Sequence, residues 1–110
     1  MKKSENLLFL VSFLIHLSSA SSQSVIDSLK QMLSSANEDT NKAILLYKLS
    51  SENFESGNYD SALFYSNEAS GLSNRLNFMK GLAFSHYYTG KILLVQRKTS
   101  ECREHFHTAM

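Results

Sequence analysis

Proline and tryptophan are absent from the chain, cysteine occurs once, and glycine occurs four times in 110 residues. One cysteine cannot build an intramolecular disulfide framework or a cysteine-rich zinc site. Charge of one sign is missing as well: 11 Lys and Arg stand against 10 Asp and Glu, so no electrostatic case for nucleic acid arises. No Gly-x-Ser-x-Gly elbow is present, and the scattered glycines draw no phosphate-cradling loop. No stretch alternates apolar and polar residues with β-branched side chains, so strands have no signal. With 43% hydrophobic residues the chain is nevertheless too apolar to remain disordered.

The longest apolar run, Leu7 to Leu17, is interrupted only by Ser12 and His16. Such a run spans about 16 Å as a helix, roughly half of a hydrocarbon core. Lys2 and Lys3 precede it, and Ser18, Ser19 and Ala20 follow as small residues suited to a signal peptidase. Residues 1–20 are therefore read as a signal peptide, and the product as exported, periplasmic or secreted. Membrane association is expected only where the leader stays uncleaved. Loss of Lys2, Lys3 and Glu5 brings the 11 basic and 10 acidic residues to nine of each.

The remainder reads as helix and short turn. In segment 24–36, Val25, Leu29, Met32 and Leu33 share a face, and Asp39 or Thr40 is placed to cap the next helix. The second segment carries Ala43, Leu46, Tyr47, Ser50 and Phe54 at helical spacing, and Gly57 suits a left-handed stop. A third helix is predicted over 59–72, with Ala62, Tyr65, Ser66 and Ala69 on one face, ending where Gly71, Ser73 and Asn74 weaken it. The fourth, about 76–96, carries Met79, Ala83, Tyr87, Gly90 and Leu94. Arg97 to Ser100 form a polar joint, after which a fifth helix is predicted from Thr99.

A shift of 40 residues brings Ala43 onto Ala83, Tyr47 onto Tyr87 and Ala69 onto Ala109, with Ser50 on Gly90 and Ala62 on Cys102 as small residues. Small side chains at fixed offsets let two helices approach closely. On Leu49, Ser50, Gly57, Asn58, Tyr59, Asp60, Ala62 and Ala69, the segment resembles one unit of the tetratricopeptide repeat family. Gly90, Cys102, Phe106 and Ala109 match the same small, small, aromatic and small positions in a second unit. Ser66 stands where the family has an aromatic, and Arg97 where it has a turn glycine.

The resemblance implies an all-α fold: antiparallel helical hairpins forming two repeats of about 40 residues in a short right-handed solenoid. Residues 21–40 are then a lead-in helix and linker, 41–80 the first repeat, and 81–110 an incomplete second repeat. It also implies a protein-interaction scaffold with no catalytic role and no cofactor, similar to the N-terminal repeat region of secreted or sensor-attached bacterial proteins. The first helix of each unit lines a concave surface in such arrays, which places Ile44, Tyr47, Ser51, Phe84, Tyr87 and Lys91 on or near the partner-binding face. Tyr47, Phe54, Phe84 and Tyr87 otherwise serve as core.

A competing reading rests on Cys102, His105 and His107, which are metal-ligand residue types and suggest a small metal-binding protein or hydrolase. On one helix Cys102 and His105 share a face, but His107 lies about 200° from His105, so one ion cannot gather all three. The resemblance implies a protein or peptide partner, and self-association is expected through an uncapped C-terminal helix. The leader is the part most directly checked: the exported product should begin at Ser21, and an intact mass that retains Met1 would contradict it.

Overall fold

The computed structural model describes the backbone of residues 22–109 and the side chains of residues 22–100 and 103. Those residues form four helices and no strand: α1 (22–34), α2 (Thr40–Glu55), α3 (Tyr59–Arg75) and α4 (Met79–Ala109). The chain is all-α over this range. The leader, including the Ala20 cleavage point, lies outside the described residues. None of the described helices is long and apolar enough to cross a membrane.

Local chemistry sets the helix ends. Asp39, in extended conformation, accepts a hydrogen bond from the Lys42 amide at 3.1 Å and starts α2. Gly57 stops α2 at φ +80°, with Gly57 N–H donating to Phe54 O and Asn58 N–H to Asn53 O. That pair of bonds is the Schellman arrangement, which satisfies carbonyls the helix leaves open. Asn77 at φ 53° repeats it after α3: its N–H donates to Asn74 O, and Phe78 N–H donates to Ser73 O. The third helix thus runs to Arg75 and not to 72. Gly71 and Ser73 only weaken helix propensity, whereas a left-handed residue ends a helix.

The predicted joint at Arg97 to Ser100 does not form, and there is no separate fifth helix. None of these four residues favours left-handed backbone, and Thr99 Oγ1 donates to Val95 O at 2.9 Å within an unbroken turn. At 31 residues α4 is about 46 Å long. The inward face of α1 also differs from expectation. Ile26 is its buried residue, with Leu29 and Leu33 partly buried, while Val25 and Met32 are exposed. The i, i+3, i+7 series starting at Ile26 is as regular as the one starting at Val25.

Ala43, Leu46, Ala69 and Leu72 form the core between α2 and α3, with Leu33, Tyr65, Leu76 and Phe78 packed around it. Small residues govern how near the helices come. Ser50 is fully buried and donates to Ala62 O at 2.8 Å. Thr89 of α4 donates to the buried Ser66 of α3 at 2.9 Å, and Ser85 donates to Gly81 O at 2.6 Å. Outside this core, Glu38 pairs with Lys42 and, at 3.5 Å, with Arg75, tying the turn before α2 to the end of α3. The Lys42 hydrogen bond and charge, with a smaller part from Arg75, hold the Glu38 carboxyl below its ordinary value. This link is present at neutral pH and is lost as pH falls through that lowered value.

Gly81 shows how little room the α3–α4 contact leaves. A Cβ there would lie 2.2 Å from Ser73 Oγ and 2.6 Å from the Phe78 ring. Ser73 Oγ is itself buried without a hydrogen-bond partner. Gly81→Ala should cost about 1–3 kcal/mol in urea unfolding. Ser73→Ala alone should be neutral or stabilising by up to about 1 kcal/mol. In the Ser73→Ala background the Gly81→Ala penalty should shrink; strict additivity would mean that the two sites do not press on each other.

Candidate functional site

Aromatic side chains from α2 and α4 meet along one side of the molecule. The Tyr47 and Phe84 rings stack with centroids 5.0 Å apart and planes 15° off parallel. One to two turns further along, Lys91 Nζ lies 4.8 Å from the centroid of Phe54 and 5.5 Å from that of Tyr87. Tyr87 also meets Tyr88 edge to face at 5.3 Å, and Phe54 meets Tyr59 at 5.6 Å. The result is a groove with an aromatic floor and an ammonium group set into it, an arrangement that suits apolar groups beside a negative charge.

Four of the six residues expected on a partner-binding face, Tyr47, Phe84, Tyr87 and Lys91, meet here through ring or cation contacts. Ile44 is half-buried on the same face of α2 as Tyr47. Ser51 shares that face, half-buried, with no side-chain hydrogen bond described that ties it to the aromatics. Tyr47 is also packed against the core, so it belongs to both. Phe54 is the groove residue outside the expected six; it lies seven residues after Tyr47 and so falls on the same helix face.

A 240 Å³ cleft opens beside this groove, lined by Ala83, Phe84 and Tyr87. A separate polar cleft of 420 Å³ lies at the α2–α3 turn, lined by Gly57 to Ser61 and Gln96. Gln96 donates to Asp60 across it at 3.3 Å. The side chains of Cys102, His105 and His107 lie outside the described ones, although the backbone there continues α4. Among the described residues no three His, Cys, Asp or Glu side chains gather as metal ligands.

Helix α4 turns out a face that its sequence rhythm marks as apolar. Met79, Ala83, Tyr87, Gly90 and Leu94 are all exposed, whereas Gly81, Ser85 and Ile92 point into the molecule. No protein family, curated protein or solved structure matches the chain.

Proposed function

We propose that this chain is a non-catalytic interaction scaffold acting outside the cytoplasm, which captures a peptide or protein segment in the groove between α2 and α4. The stacked Tyr47–Phe84 pair next to Lys91 is the observation that carries this reading. Rigid helices hold these groups, so little ordering entropy is lost when a ligand docks. An extended or helical segment with an aromatic or aliphatic side chain beside a carboxylate is the complementary chemistry.

The repeat organisation belongs to the same proposal. Residues 41–80 form a first unit, resembling a tetratricopeptide repeat, and α4 stands where the first helix of a second would stand, although its unbroken run to Ala109 makes no hairpin over 81–109. Its support is that Ser50 and Ala62 meet at the α2–α3 crossing, and that α4 packs against both earlier helices. Export rests on the leader reading of residues 1–20.

Tyr87 is 59% exposed, so its removal should touch binding more than folding. With peptides selected against the wild-type protein, Tyr87→Ala should weaken binding by about 2 kcal/mol, roughly thirtyfold. Its urea midpoint should stay close to wild type, because core aromatic truncations alone cost about 3–5 kcal/mol. Lys91→Glu should shift the selected sequences from acidic to basic. Unfolding of Tyr87→Ala, or selection indifferent to both changes, would overturn the groove assignment.

A further inference from the structure

We propose that the outward face of α4 docks on membrane surfaces that carry anionic lipid. The near balance of charge in the whole chain conceals a local excess. Residues 22–78 carry four Lys or Arg against seven Asp or Glu. Residues 79–100 carry Lys80, Lys91, Arg97 and Lys98 and no acidic residue, the first in α4 being Glu101. A basic, partly apolar helix on an otherwise acidic body is complementary to an anionic surface. This goes beyond the groove reading, with which it shares Tyr87 alone.

The face itself is broad. Helix α4 meets its neighbours on one side only, with Phe84 and Lys91 turned to α2, and Gly81 and Thr89 to α3. At 100° per residue, Met79, Ala83, Tyr87, Gly90, Leu93 and Leu94 occupy about 120° of the opposite side. Its large side chains are Met79, Tyr87, Leu94 and Leu93, which are 72%, 59%, 52% and 49% exposed. They are spread along about 23 Å of helix.

Cations border this face. Lys80 and Lys98, about five turns apart, fall together along its Tyr87 edge, and Arg97 stands within it near its C-terminal end. All three are exposed. Such side chains lay their stems on apolar surface while the charged ends reach lipid phosphates, and tyrosine settles at the same depth. Apolar residues between basic ones are the composition of a helix that lies in the plane of a bilayer surface. None of the described helices is long and apolar enough to cross a membrane, so the contact is peripheral and reversible.

The same features disfavour other anionic partners. A second helix would meet a narrow seam, whereas this face takes up about a third of the circumference. A protein would have to bury Lys80, Arg97 and Lys98 against carboxylates at fixed places, while lipid headgroups move to meet them. A nucleic acid strand would find no ring to stack on at Met79, Leu93 or Leu94.

Co-sedimentation of the 110-residue chain with vesicles tests this, using phosphatidylcholine alone and with about one third phosphatidylglycerol. Binding should be at least tenfold tighter on the anionic vesicles and should weaken several-fold between about 0.05 and 0.5 M salt. Combining Lys80→Gln with Lys98→Gln should lower it roughly fivefold per cation removed, on anionic vesicles only. Combining Leu93→Ser with Leu94→Ser should lower it at least tenfold, with helicity by circular dichroism unchanged. Nitroxide-labelled lipid should broaden the NMR signals of the Met79, Leu93 and Leu94 methyls and spare those of Ile92 and Ala69. Absence of binding to anionic vesicles would overturn the proposal, including a case where the face captures an acidic protein instead. So would equal binding to both vesicles, or binding indifferent to the variants, which would place the contact on the leader or another surface. Peptide capture by the Leu93→Ser, Leu94→Ser protein reports separately on the groove, since neither residue takes part in its ring and cation contacts.

Discussion

Close approach of helices over small side chains is the constraint on which this structure depends. Ser50 against Ala62 joins α2 to α3, and Ser66 against Thr89 and Ser73 against Gly81 join α3 to α4. A buried hydroxyl is tolerated where a carbonyl lies within reach, and Ser50, Ser66 and Ser85 each have one. Serine then serves as a small spacer that permits contact without leaving an unpaired polar atom. Ser73 is the exception, and it stands where the space is tightest.

The orientation of α4 follows from this choice. Its inward face is Gly81, Ser85 and Ile92, and α3 meets it with small residues, Ser73 at Gly81 and Ser66 at Thr89. The larger apolar side chains on the opposite side of α4 consequently face outwards. Few large side chains are fully buried among the described residues, where Ile26, Leu49 and Ile92 are the largest. At roughly 1.5–3 kcal/mol for each large aliphatic side chain removed from water, such a core supports only modest stability. Aromatic residues gather instead between α2 and α4, with Phe84 and Tyr87 exposed and Tyr47 and Phe54 half-buried.

Much of this was legible in the residue order where one residue type has one physical role. Gly57 tolerates positive φ and Asp39 has a carboxylate one bond from its Cβ, so the stop and start around α2 follow from chemistry that acts locally. The buried Ala43, Ser50, Ala62 and Ala69 were likewise marked by size at helix-crossing offsets. Other features depend on which neighbour wins. Val25 and Ile26 support equally good helical stripes, and only tertiary packing, which sets Leu33 against the α2–α3 core, selects the one that buries Ile26. Polarity at Arg97 to Ser100 suggested a joint, but polar residues interrupt a helix only when they supply a left-handed residue or a competing cap. Tyr47 and Phe84 meet across the α2–α4 contact. Their stacking depends on the axial offset between α2 and α4, and so does the meeting of Lys91 with Phe54; helix periodicity carries no information about either.

The central claim is that small-residue packing turns the apolar stripe of α4 outwards. Its most direct measurement is the relaxation of side-chain methyl groups by a soluble paramagnetic agent, read by NMR on dilute monomeric protein. The Ala83 and Leu94 methyls should broaden strongly, while those of Ile92 and Ala69 should be spared. Protection of Ala83 and Leu94 together with exposure of Ile92 would show α4 rotated by about half a turn, and would contradict the account.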